Sequence, residues 1–169
     1  FFITPPNTLV RTLRGREVKA LERIGKYLLA RLDDGSSLLL HLGMTGQLFF
    51  SGDASLHLLS SLRGVTLSPE AQRQGFAPDA HTHVVLSFAD GGPSLYFRDV
   101  RKFGKVELLV AGASSPRLDK LGKDALLAVG DDLYEAARGR RIPIKSLLLD
   151  QAVLAGIGKG LDEGLDPGP

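Results

Sequence analysis

The chain has 169 residues, 43% hydrophobic and 24% charged, enough for one sizeable domain or a domain with a small appendage. Its formal charge of +2 and pI near 9.0 permit a nucleic-acid partner without demanding one. With no cysteine it excludes disulfides and cysteine-ligated zinc and fits a reducing cytoplasm, and with no long apolar run no membrane partner is expected.

The opening "FFITPPNTLV" lacks the basic start and apolar run of a signal peptide. It begins on two phenylalanines and reads as a chain cut into. Asn7 is the expected N-cap of a short helix in "TLVRTLRG", with Gly15 as its stop. "EVKALERIG" reads as a strand. "KYLLARL", "DDG" and "SSLLLHL" make a hairpin around an Asp-Gly turn, and "GQLFFSG" continues the sheet. Residues 51–80 scatter Gly, Ser, Pro and Asp and read as a loop. "THVVLSF", "ADGG" and "PSLYFRD" form a second strand–turn–strand unit, and "KVELLVA" a further strand.

"GASSP", 112–116, marks the predicted boundary. Beyond it "RLDKLGKDALLAV", "DDLYEAARGR" and "IPIKSLLLDQAVLAGIG" read as helices. The expected fold class is α+β: an antiparallel β-sandwich over 1–112, then a truncated helical module over 113–169. The glycine- and proline-rich tail, 159–169, is expected to be disordered.

Three stretches are locally basic. Residues 11–26 hold six basic residues against two acids, 98–105 four against one, and 138–145 four against none. Each suits phosphate contact, and each equally suits a solvated face. The stretch "HLGMTGQLFF", 41–50, brackets Met44, the single methionine, between Gly43 and Gly46. It fits either a tight turn over a buried methionine or an exposed loop tip. His81 and His83 stand two apart on a predicted strand and would share a face. No third ligand accompanies them, so no metal site is expected.

Five pieces occur in order: "RIGKYLL", "HLGMTGQL", "HTHVVL", "FRDVRKFG" and "IPIKSLLLDQAVLAGIG". Together, over residues 12–158, they resemble the formamidopyrimidine-DNA glycosylase and endonuclease VIII family, more closely its formamidopyrimidine branch. The resemblance implies a β-sandwich followed by a helix–two-turn–helix DNA-binding module and a zinc finger. It implies excision of oxidised purines such as 8-oxoguanine by an N-terminal proline amine, through a Schiff base and elimination. A non-catalytic binder of damaged or distorted DNA is the alternative. The implied partner is duplex DNA with oxidised bases or abasic sites, the implied state a monomer, and the implied location the bacterial cytoplasm with its nucleoid.

The resemblance also assigns residues. Lys26 would donate a proton in elimination, beside the abasic-site phosphates. His81, Arg140, Lys102, Lys145 and Lys159 would contact DNA. Met44, Arg101 and Phe103 would enter the duplex and fill the space of the flipped base. The glycines beside Met44 and Phe103 would let backbone approach DNA. Asp99 and Asp150 would cap or bridge arginines.

Three departures accompany these matches. No Pro-Glu start is present, and Pro5 and Pro6 are internal amides. Lys159 replaces the family's phosphate-binding asparagine. The zinc finger is absent, so no cofactor is expected. The sequence therefore reads as an incomplete copy, inactive by itself.

Overall fold

The computed structural model describes residues 1–52, 55–58 and 76–158. Most of the predicted 51–80 loop, the 159–169 tail and Lys159 lie outside these residues.

Helix α1 spans Pro6–Leu13. Its N-cap is Pro5, without a side-chain cap, and Asn7 lies inside the helix. Pro6 explains the shift: its fixed φ presets the first helical turn, where a missing N–H costs nothing. Gly15, at φ +73°, follows the helix end. Strands then follow as β1 (Val18–Ile24), β2 (Tyr27–Leu32), β3 (Ser37–His41), β4 (Gly46–Gly52), β5 (Ser55–Leu58), β6 (Thr82–Leu86), β7 (Ser94–Asp99) and β8 (Lys105–Leu109). Strand β5 falls where the sequence predicts only loop.

The first predicted helix breaks into α2 (Pro116–Asp119) and strand β9 (Lys123–Asp124), the second forms as α3 (Gly130–Ala137), and the third breaks into α4 (Ile144–Leu149) and strand β10 (Leu154–Ala155). Local side chains capture the backbone in place of helical bonds. Asp124 Oδ1 accepts from Leu126 N at 2.9 Å, and Asp150 Oδ1 from Ala152 N at 3.0 Å. Strands β9 and β10 pair in parallel, Leu154 opposite Lys123 and Ala155 opposite Asp124.

The chain is of the α+β class, with antiparallel sheets and a few short helices. It divides into two compact units that do not follow the predicted cut at 112. One contains residues 1–17 and 39–108, the other 18–38 and 109–169. The β1–β2 hairpin thus groups with the C-terminal helices.

In the first unit a four-stranded sheet has the order β5-β4-β7-β6. Strand β4 runs antiparallel to β7, with Gly46 opposite Asp99 and Leu48 opposite Phe97. Inward positions alternate along β7: Leu95, Phe97 and Asp99 are buried. Leu9, Leu39, Leu40, Leu48, Phe49 and Val106 complete this core. In the second unit the hairpin β1–β2 pairs Ile24 with Tyr27 across a two-residue turn. Its core holds Leu29, Leu32, Leu38, Leu147, Leu154 and Ala155.

Candidate functional site

In the first unit the β3–β4 loop, 42–45, and the β7–β8 loop, 100–104, lie backbone against backbone. Gly43 has φ +64°, and a methyl group there would stand 2.7 Å from the Phe103 carbonyl carbon. A Cβ on Gly104 would lie 2.7 Å from the Phe97 ring and 3.0 Å from the His41 carbonyl oxygen. These glycines therefore face the protein's own chain. This corrects the expectation that they clear the way for DNA: they allow two loops to fuse.

Asp99, at the end of β7, is fully buried and joins both loops. Its Oδ1 accepts from the Thr45 hydroxyl at 2.5 Å and from Arg101 N at 3.3 Å. Its Oδ2 accepts from Gly104 N at 2.7 Å. Burial alone would raise this carboxyl's pKa; the hydrogen bonds from Thr45, Gly104 and Arg101 outweigh it and hold the pKa below its ordinary value. The expected capping role of Asp99 is thus realised on the backbone amides of Arg101 and Gly104.

The side chains carried by this pair point outward. Met44 is 52% exposed and Phe103 49% exposed, while Val100, Arg101 and Lys102 are exposed beside them. The Arg101 guanidinium carbon sits 5.0 Å from the centre of the Phe103 ring, within cation–π reach. Of the two initial readings of Met44, the exposed loop tip holds. Phe103 is no core residue; Phe97, 1% exposed, packs under the loops instead. Lys102 has φ +56°, the sole non-glycine residue at positive φ among the described residues. Strain thus concentrates at the tip.

His81 is positioned by its main chain. Its N–H donates to Asp79 Oδ1 at 3.0 Å, and its carbonyl accepts from Asp99 N at 2.9 Å. Arg98 grips Asp79 through Nε at 2.8 Å and reaches Gln47 Oε1 at 3.3 Å. The Arg98 hydrogen bond, with those from His81 N and Thr82, overcomes burial and draws the Asp79 pKa down to about 2. A bulge between Thr82 and Val84 breaks the alternation that would place His81 and His83 on one face. His83 Nε2–H donates to the Asp99 carbonyl at 2.9 Å, and its ring lies 4.9 Å from that of Phe1. Among the described residues no group of three His, Cys, Asp or Glu is placed to hold a metal.

In the second unit Lys26 occupies the tight turn between β1 and β2, not the start of a strand. Gly25, φ +57°, lets this turn close on the C-terminal segment: a Cβ there would stand 3.1 Å from Ala155 Cβ. Arg23 ties the turn down, bonding Gly25 O at 2.9 Å and Asp124 Oδ1 at 3.0 Å. The Lys26 Cε runs within 4 Å of where a Cβ on Gly158 would stand. Desolvation by this packing lowers the Lys26 pKa.

The Gly156–Gly158 segment is held by Gln151. Its Nε2 donates to Leu149 O at 3.0 Å and Ile157 O at 2.9 Å, and its Oε1 accepts from Gly156 N at 3.1 Å. Asp150 caps Ala152 and thereby fulfils its expected structural part. Arg140, Arg141 and Lys145 are exposed around the start of α4.

The structure therefore brings Met44, Arg101, Lys102 and Phe103 together, and brings Lys26 to the 156–158 turn. Sequence reasoning missed Thr45, Gln151 and the Arg23–Asp124 pair. Only Thr45 carried a local signal, a hydroxyl between two glycine-flanked positions.

A mixed α+β chain with antiparallel sheets and a glycine-fused, cation-and-apolar loop tip defines the class. Residues 2–106 match the family described as the formamidopyrimidine-DNA glycosylase N-terminal domain, and the chain belongs to that family. A formamidopyrimidine-DNA glycosylase of Paracoccus denitrificans is 39% identical over 155 residues, covering 90% of this chain and 50% of that protein. One of Moorella thermoacetica is 42% identical over 158 residues, with 90% and 49% covered. The chain thus spans about half the length of the curated relatives it matches. Among solved structures, the Lactococcus lactis enzyme with DNA containing Fapy-dG has a TM-score of 0.72 at 27% identity, covering 97% of this chain and 55% of that one. The same enzyme with abasic-site DNA has a TM-score of 0.67 at 27% identity, with 90% and 49% covered.

Proposed function

We propose that this chain is the lesion-engaging part of a base-excision DNA glycosylase/AP lyase for oxidised purines such as 8-oxoguanine and formamidopyrimidine. One observation carries the reading: Met44, Arg101 and Phe103 are exposed together on two loops that their own glycines and Asp99 lock into one body. An enzyme acting on a base must take it out of the stack, and the vacated space must be filled. An unbranched thioether slides between bases, and a guanidinium serves the orphaned base edge. The phenyl ring wedges the step. The relatives' names and the DNA in the similar structures support the same substrate class.

Lys26 is the proposed proton donor in elimination. Its lowered pKa in the free chain eases release of the proton, and two flanking phosphates would restore the charge on binding. His81, Lys102, Arg140 and Lys145 contact phosphate in this reading, and Lys159 extends the set. The bacterial origin of the relatives supports action in the bacterial cytoplasm.

Pro5 and Pro6 carry amide nitrogens, which cannot form a Schiff base. That favours a second reading for these 169 residues: they bind damaged duplex without cutting it. Borohydride trapping on 8-oxoguanine duplex decides. The expected result is no covalent adduct above that of a Lys26→Ala variant. An adduct well above it would assign catalysis to the isolated chain.

A further inference from the structure

We propose that Asp99 and Thr45 form a positioning clamp that makes the Met44 loop and the Arg101–Phe103 loop a single probe of damaged duplex. The proposal rests on the DNA-engaging reading and adds to it the residues on which lesion discrimination depends.

Asp99 is fully buried, yet the three donors to its carboxylate among the described residues come from the two loops. Two hydrogen bonds go to one loop, through Arg101 N and Gly104 N. One goes to the other, through Thr45 Oγ1, the residue next to Met44. Neither of its two nearest relatives in shape and charge fills this place. Asparagine offers one acceptor oxygen where donors converge on both, and its amide hydrogens would meet a donor. Glutamate adds a methylene where Gly104 has no room: a Cβ there would already stand 3.1 Å from Asp99 Oδ2.

Backbone contact reinforces the clamp. Gly43 abuts Phe103 and Gly104, so Met44 cannot withdraw from the Phe103 loop without opening that contact. Charged hydrogen bonds across a buried site are the strong kind, so the Thr45–Asp99 bond is the main side-chain tie between the loops. Flipping a base requires the three inserting side chains to enter together. Loops that move separately would touch intact and damaged duplex alike.

The test uses Thr45→Val, which keeps the shape and deletes the bond, Thr45→Ser, which restores it, and Asp99→Asn. Affinity is measured for an abasic-site duplex and for an intact duplex of the same sequence. Met44 is the single methionine, so methyl-labelled methionine gives one NMR signal that reports the loop in the DNA-free chain. The parent is expected to prefer the abasic duplex. Thr45→Val and Asp99→Asn should cut that preference roughly tenfold, as loss of a hydrogen bond to a charged group does. Thr45→Ser should recover it. The Met44 methyl signal should move in the first two variants and return in the third.

An unchanged preference and an unmoved signal in folded Thr45→Val overturn the clamp. A parent without preference overturns the DNA-engaging reading, and the methyl signal then judges the clamp alone. If Asp99→Asn does not fold, the two threonine variants decide.

Discussion

At the scale of single residues, exposure separates probes from supports. Met44 and Arg101 stand at the surface, so Met44→Ala and Arg101→Ala should melt within about 1 kcal/mol of the parent. Both should lose preference for damaged duplex in a binding titration. Phe97 behaves oppositely. It is 1% exposed under the loops, and Phe97→Ala should cost roughly 3–5 kcal/mol in denaturant unfolding. A melting loss of that size in Met44→Ala would instead make Met44 a core residue.

Five carboxylates among the described residues are held below their ordinary pKa, Asp79 and Asp99 among them. Arg98 holds the Asp79 pKa near 2, below its ordinary 3.8, and hydrogen bonds hold Asp99 below its ordinary value. A depressed folded pKa stabilises the chain above the unfolded pKa, and that contribution is lost as pH falls through the folded one. Asp79 therefore contributes fully above about pH 4 and progressively less down to about pH 2. Unfolding midpoints measured across this window should fall, and Asp79→Asn should flatten the part of the slope that Asp79 supplies.

At the scale of elements, the loop pair and the Lys26 turn share one device: glycine permits backbone contact, and a side chain locks it. Gly43→Ala tests the device. It forces a Cβ into the Phe103 carbonyl at 2.7 Å and strains a residue at φ +64°. The expected cost is roughly 1–3 kcal/mol in thermal or denaturant unfolding. An Ala variant as stable as the parent would show that the loops separate freely. In the second unit Gln151 plays the locking part through three hydrogen bonds around Gly156. The Arg23–Asp124 pair is partly exposed, so its part is orientation more than energy.

At the scale of the whole chain, cationic contacts should dominate affinity. About three phosphate contacts, from Lys26, His81 and Arg140, give a log–log salt slope of roughly −2 to −3 on abasic duplex. Titrations from low to moderate salt measure it. A slope near zero would remove the phosphate roles assigned to these residues.

The strands were legible because they obey period two between turn signals: "DDG" separates β2 from β3, and "ADGG" lies between β6 and β7. The exposed tip was legible at Met44, because paired glycines interrupt an apolar run. The helical half was not legible in length. Apolar spacing promised three helices; the middle one forms as α3, but Asp124, Asp150 and Gln151 bind backbone locally and cut the outer two short. By itself, then, the sequence determined the α+β class, most of the strands and the five pieces that carry the family. Tertiary structure decided what the glycines face and what Asp99 holds. Those depend on atoms more than fifty residues apart, such as Thr45 and Asp99, and no local period encodes the meeting of two loops.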